Sequence, residues 1–162
     1  MKLLRIALVL LLVSTTTVAL AASGAQTSFD KLKTLSGTWE GKSPDGKMVE
    51  VSYRVTSNGS ALMSEIHTED DMITMFHPDG DRLLMTHYCG AGNQPRMVGI
   101  LSPDGKTITF DFLDATNLPT SEAGHMHRMV LSFLDANHHT EAWSYVDHGK
   151  EMNELFDLKR KN

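Results

Sequence analysis

Apolar and polar residues alternate along most of the chain after residue 36, in short segments that turn-forming residues separate. The segment VEVSYRVT at residues 49–56 shows this alternation clearly. A period of two residues is typical of a β-strand with one buried face. Comparable segments predict about ten strands, at residues 37–42, 49–56, 61–67, 72–77, 82–89, 96–101, 107–113, 125–134, 140–146 and 152–159.

Proline, aspartate and glycine recur together between these segments. The sequence PDG occurs three times, within residues 43–48, 77–82 and 102–107, and Ser57-Asn58-Gly59 marks a fourth turn. Proline presets the first turn position, aspartate bonds nearby backbone, and glycine accepts a positive φ. Short connections of this kind favour hairpins. We therefore predict an all-β fold, an antiparallel up-and-down barrel of about ten strands, with residues 114–124 as a flexible loop over its mouth.

One segment has the spacing of a helix instead. In SFDKLKTLSG, Phe29, Leu32 and Leu35 recur on adjacent turns, Ser28 is a candidate N-cap, and Gly37 is a stop signal. The sequence predicts one short helix before the first strand, which closes one end of the barrel.

The first 22 residues have a different composition. Lys2 and Arg5 precede an apolar run, and Ala19-Leu20-Ala21 fits a cleavage site. This pattern predicts a signal peptide at residues 1–22 and one domain at residues 23–162, so we expect a periplasmic or secreted protein with no stable membrane insertion after cleavage.

Charge and cysteine content narrow the possible partners. The formal net charge is -5, without a basic segment, and this disfavours nucleic acid as a partner. A single cysteine excludes an internal disulfide, so packing must supply the stability.

The predicted helix leads into LSGTWEGK, where Gly37-Thr38-Trp39 forms a G-x-W at the start of the first strand. Together with the hairpins that follow, the chain resembles the calycin-like β-barrel superfamily of lipocalins, fatty-acid-binding proteins and nitrobindin-like proteins. It is most similar to an exported bacterial branch in which a segment like THYCxxGNQPRM also occurs. The resemblance implies that Arg160, with Lys159 as a substitute, covers the ring of Trp39. It also implies a ligand in the barrel interior.

The strand RLLMTHYC contains the first candidate chemistry. Strand phase places His87 and Cys89 on the same face as Leu83 and Met85. These two residues, with His125 and His127, are candidate metal ligands, and haem on His87 or His127 is a further alternative. Cys89 and His87 as nucleophile and base would indicate an enzyme. The alternative is a small buried thiol beside a hydrogen-bonded histidine.

The segment GAGNQPRM reads as a turn followed by a new strand. Gln94 and Arg96 are candidate anchors for a ligand carboxylate, and the alternative is that Arg96 pairs with a carboxylate such as Glu65. We predict that His138 and His139 lie in a solvated turn, and that strand carboxylates such as Glu141 face solvent.

These observations favour a binding protein over an enzyme. We expect a small apolar or amphipathic ligand in the barrel interior and no obligatory cofactor or metal. A barrel filled by its own side chains is a third possibility. The expected wall residues are Trp39, Met63, Met85, Met129, Phe133 and Trp143, and the expected polar anchors are His87, Cys89, Gln94, Arg96 and His127.

Overall fold

The computed structural model describes residues 24–43, 45–68 and 70–161, and the predicted signal peptide lies outside them. Within these ranges one α-helix, α1, spans Gly24–Lys33 and precedes ten strands. The strands are β1 Gly37–Lys42, β2 Met48–Thr56, β3 Ala61–His67, β4 Met72–Asp79, β5 Arg82–Tyr88, β6 Gln94–Leu101, β7 Thr107–Thr116, β8 His125–Asp135, β9 His138–Asp147 and β10 Lys150–Arg160.

The ten strands close into one barrel. Each strand pairs antiparallel with the next along the chain, and β1 also pairs with β10, where Trp39 lies opposite Arg160. Closure satisfies the backbone hydrogen bonds that an open sheet would leave at its edges. The predicted all-β, ten-stranded antiparallel barrel with a short N-terminal helix is confirmed.

The interior is filled by the inward-facing residues of the strands. Along β2, for example, Val49, Val51 and Tyr53 are buried while the residues between them are not. The largest fully buried side chains are Trp39, Phe29, Phe76, Phe110, Leu32, Leu62, Ile66, Leu83, Met85, Met97, Ile108 and Met129. Burial of this apolar surface is the main stabilising term for the barrel.

Helix α1 closes one end of the barrel, as predicted, and packs against β4, β5 and β6. It begins four residues earlier than expected, so Ser28 is not its N-cap. The Ser28 hydroxyl instead donates to the carbonyl of Gly24 at 2.7 Å inside the helix. The extra turn buries Ala25 together with Phe29 and Leu32, and this packing explains the earlier start. No helix among the described residues is long and apolar enough to cross a membrane.

The connections alternate between the two ends of the barrel. One end, the helix end, contains α1 and the hairpin turns at residues 57–60, 80–81, 102–106 and 136–137. The other end, the mouth, is formed by residues 43, 45–47, 68, 70–71, 89–93, 117–124 and 148–149. Strand β7 continues to Thr116, three residues beyond its predicted end, so the loop over the mouth is shorter than the sequence indicated.

Candidate functional site

Two adjoining cavities open at the mouth. They have volumes of about 510 and 400 Å³, and both are lined by Asp45 and Glu154. We call the pair the mouth cavity. Its combined size falls in the range of pockets that hold small molecules.

The apolar lining of the mouth cavity consists largely of methionine. Met48 and Met72 line the larger part, and Met126 and Met152 line the smaller part beside Trp143. Methionine side chains are flexible and polarizable, so they adapt to irregular apolar ligands. The four thioethers and the indole of Trp143 therefore form an apolar surface at the mouth that can adjust to the shape of a ligand.

The charged lining is mainly acidic. Among the described residues, the carboxyl side chains of Asp45, Asp70 and Glu154 line the cavity together with the ammonium of Lys47, so acidic side chains outnumber basic ones. Partial burial raises the pKa of Glu154, and the nearby negative charge of Asp45 raises it further, while Lys47 opposes the shift. A cation near Glu154 would relieve this unfavourable environment.

The side chain of Trp143 is held from below by a buried carboxylate. Its indole Nε1–H donates to Glu141 Oε2 at 3.1 Å. The Tyr53 hydroxyl donates to Glu141 Oε1 at 2.5 Å, and His139 Nε2 lies 3.3 Å from the same oxygen. Burial, with the charge of Glu141, raises the pKa of Tyr53 well above its usual value. This network fixes the position of Trp143, because its indole N–H and the Tyr53 hydroxyl share the Glu141 carboxylate and would lose their buried partner without it.

His87 lies beneath the mouth cavity and is completely buried. Its Nδ1 is 2.9 Å from the Thr74 hydroxyl, its ring contacts Trp143 with centroids 4.9 Å apart, and Nε2 has no partner among the described residues. Burial lowers the pKa of His87 to about 4, although the charge of Glu141 opposes the shift. His87 is therefore neutral near pH 7.

These contacts answer whether His87 could hold haem. A macrocycle needs an open face above the axial nitrogen, whereas the indole of Trp143 packs against the His87 ring and no part of the side chain is exposed. Among the described residues, the packing around His87 thus leaves no space for haem.

Cys89 lies in the turn after β5 rather than in the strand, and it is half-buried. Burial raises the pKa of its thiol, and the negative charge of Asp70 adds to the rise, while a hydrogen bond from the Ala91 backbone opposes it. A thiol with a raised pKa is a poor nucleophile near pH 7.

Four of the expected wall residues are buried and do not line the mouth cavity. Met85 and Met129 are fully buried in the core. Trp39 lies at the helix end, where the Arg160 guanidinium stacks on its ring at 4.1 Å, as the resemblance implied. Phe133 also lies toward that end, and the ammonium of Lys31 is 4.5 Å from its ring centroid.

Met63 does not face the interior. It lies between the buried Leu62 and Ser64 along β3, and its sulfur contacts the exposed Arg54 side chain at 3.8 Å. The expected phase was wrong by one residue, because the polar Ser64 shares the buried face of this strand with Leu62.

Gln94 and Arg96 have structural partners. Arg96 pairs with Asp114 of the neighbouring strand through two nitrogens, so the alternative that Arg96 pairs with a carboxylate is confirmed, although the partner is Asp114 and not Glu65. The Gln94 carbonyl accepts hydrogen bonds from Thr116 at 2.9 Å and Asn117 at 2.8 Å. Both contacts connect the start of β6 with the end of β7 and with the loop over the mouth.

A β-bulge displaces His127 from its expected interior position. The register of β8 against β9 shifts between Met126 and Arg128, so Met126 faces the mouth cavity opposite Tyr145 and His127 is exposed. The extra residue of a bulge reverses the alternation on one side of it. A regular period of two could not reveal this shift.

The buried polar residues of β9 were not found from the sequence. His139 and Glu141 were expected to face solvent, but both are buried, in phase with Trp143. The available signal was the alternation of His139, Glu141 and Trp143 with smaller residues on the opposite face. Of the expected binding residues, Trp143 is the one that lines the mouth cavity.

Comparison with known proteins supports the fold. No protein-family model matches the chain, and no curated protein matches it in sequence at a significant level. The crystal structure of Rv2717c from M. tuberculosis matches 83% of this chain and 98% of its own, with a TM-score of 0.56 and 15% identity. At this identity the likeness is evidence for a shared barrel fold alone.

Proposed function

We propose that this protein is an exported binding protein that holds a small amphipathic molecule at the barrel mouth. The apolar part of the molecule lies against the methionines and Trp143, and a cationic group lies near Glu154 and Asp45. The observation that carries the proposal is the mouth cavity itself, with adjoining volumes of about 510 and 400 Å³ above a packed interior. Sequence residues 1–22 supply the argument for export.

The composition of the cavity suits such a molecule better than a metal ion. No group of three or more His, Cys, Asp or Glu side chains in the described ranges is arranged to hold a metal. The cavity instead combines methionine and tryptophan side chains with an excess of acidic groups among the described lining residues, a pattern that favours apolar contact plus one charged group.

Matched amphiphiles test the proposal. Dodecyltrimethylammonium, dodecyl maltoside and dodecyl sulfate share one alkyl chain and differ in charge. Each is added below its micelle concentration while tryptophan fluorescence and binding heat are recorded. We expect saturable binding, tightest for the ammonium compound, with a fluorescence change that is lost in Trp143→Phe because Trp39 lies at the other end. Absence of saturable binding by all three compounds would overturn the proposal.

A matched pair of variants on β10 tests the role of charge. Glu154 lines the cavity, whereas Glu151 is an exposed residue of the same strand that does not line it. We expect Glu154→Gln to weaken ammonium binding by about 3–10-fold and Glu151→Gln to leave it unchanged, since a partly exposed charge contributes roughly 1 kcal/mol. Equal affinities in the two variants would remove Glu154 from the site.

Export is tested separately. N-terminal sequencing of the protein recovered from its host should give a first residue at 22 or 23, following cleavage after Ala21 or Ala22. An N-terminus at Met1 would contradict export through a cleaved signal peptide.

A further inference from the structure

A pair of histidines lies outside the barrel interior, where β7 and β8 separate. The two strands stop pairing at Asp111 and Arg128, and the bulge at His127 follows immediately. The gap contains the rings of His125, His127 and Phe112, with Phe112 stacked on His127 at 5.2 Å between centroids. A cavity of about 530 Å³ adjoins these rings beneath the loop at residues 117–124.

We propose that His125 and His127 bind a divalent transition-metal ion, Zn²⁺ by their separation, through His125 Nε2 and His127 Nδ1. These two nitrogens are 3.3 Å apart. Two imidazole ligands of a tetrahedral zinc ion, each at about 2.0–2.1 Å, are separated by about 3.3 Å. The site does not depend on the proposed ligand of the mouth cavity.

The tautomer of His125 is suited to this role. Its Nδ1 lies 2.8 Å from the carbonyl oxygen of Ala123. A carbonyl only accepts hydrogen bonds, so Nδ1 carries the proton and the Nε2 of the neutral ring presents a lone pair. A backbone carbonyl that accepts from the second ring nitrogen is the usual support of a metal-bound histidine.

Metal binding requires one proton to move. Without metal, His127 Nδ1–H donates to the lone pair of His125 Nε2 across the 3.3 Å gap. The metal ion replaces that proton, and His127, an exposed residue, is then protonated at Nε2. The ring keeps one proton and remains neutral, so the exchange is a change of tautomer.

The site is open rather than closed. The described residues contain no third donor in place, so water or a small exogenous ligand in the adjoining cavity completes the coordination. The exposed position of His127 gives the metal access, while the buried His125 is held by Ala123 and Phe112. Open sites of this kind bind more weakly than closed structural sites.

Zinc titration tests the proposal, with Zn²⁺ alone as the probe. Calorimetry is performed on the wild type, on His127→Ala, and on His77→Ala as a control in a different part of the barrel. We expect His127→Ala to weaken binding at least about tenfold, since a chelate loses its second donor, and His77→Ala to have no effect. The ¹⁵N spectrum of His127 should show its proton moving from Nδ1 to Nε2 as zinc is added.

Two results would overturn the site. One is equal zinc affinity in His127→Ala and the wild type. The other is a His127 ring that keeps its Nδ1 proton at saturating zinc, because the contact with His125 would then be only a hydrogen bond. The tautomer is read in the wild type, so a folding defect in a variant does not affect it.

Discussion

The two ends of the barrel use charged residues in opposite ways. At the helix end, Arg160 stacks on Trp39 and donates to the carbonyls of Ser36 at 2.8 Å and Thr34 at 3.0 Å. At the mouth, Glu154 lines the mouth cavity, and the pKa of its carboxyl group is raised. The first charge is matched to its surroundings and stabilises the fold, whereas the second is left in an environment that a cationic ligand would improve.

A chain of buried contacts joins the two ends along β9. His139 contacts Trp39 edge-to-face at 4.3 Å between centroids, Glu141 lies 3.3 Å from His139, and Trp143 donates to Glu141. The side chain that forms the floor of the mouth cavity is thereby held by the part of the barrel that is closed. The difference between the ends shows that a small barrel can be packed with side chains over most of its length and keep open cavities at one end.

Acidification should produce the largest change in stability, and it tests whether His87 is buried beneath the mouth cavity. Because His87 has a pKa of about 4 in the fold and an ordinary value near 6.5 when unfolded, the unfolded state binds more protons between these values. Stability therefore falls as the pH is lowered from about 6.5 to 4, by about 3 kcal/mol from this residue. Urea unfolding of the wild type, His87→Gln and the exposed-histidine control His148→Gln measures the effect.

The contribution of His87 is the difference between the pH slopes of these variants. We expect His87→Gln to flatten the slope and His148→Gln to leave it unchanged. Equal slopes in all three proteins would show that His87 takes up a proton in the fold as readily as in the unfolded chain. The side chain would then not be buried beneath the mouth cavity.

Substitution of Arg160 should destabilise the helix end of the barrel. We expect Arg160→Ala to lower the free energy of unfolding by about 2 kcal/mol, since it removes a cation–π contact and hydrogen bonds from a charged donor. Arg82→Ala is the matched control, because Arg82 is an exposed arginine of the same end and pairs with Asp79 in its hairpin. Its loss should stay below about 0.5 kcal/mol. A similar loss in both variants would contradict a special role for the Arg160 contact.

The helix end also shows why part of the fold could be predicted from the sequence. Gly37 has a φ of 125°, and a Cβ there would approach Arg160 Nη1 to 2.9 Å, so the glycine of G-x-W leaves room for the arginine. The PDG turns and the alternating strands are similarly local signals. They predicted ten strands, their order and the position of the helix.

The mouth was less predictable because its features depend on pairing between distant strands. The bulge at His127 exchanges the faces of His127 and Met126, and the alternation in β8 itself gives no sign of it. Glu141 is buried because Tyr53, 88 residues away in the chain, and Trp143 both donate to it. Such partners come together only when the barrel has closed. The sequence alone therefore predicted that the strand carboxylates face solvent.

The smallest effect is expected at the open end. Glu154→Gln should change the free energy of unfolding by less than about 0.5 kcal/mol or increase it, because a carboxyl with a raised pKa is more stable protonated. The same raised pKa means that ammonium binding weakens on acidification at a higher pH than for an ordinary glutamate. Urea unfolding at pH 7 measures the first effect, and a marked loss of stability would place Glu154 among the structural charges.

Methyl NMR of methionine tests the central claim most directly, because the methionines mark separate regions of the barrel. Met48, Met72, Met126 and Met152 line the mouth cavity, whereas Met85, Met97 and Met129 are fully buried in the core. With ¹³C-methyl methionine and dodecyltrimethylammonium, the account predicts shifts for the four mouth methyls and unchanged positions for the three core methyls. Shifts confined to the core methyls, or absent from all seven, would contradict a binding site at the mouth.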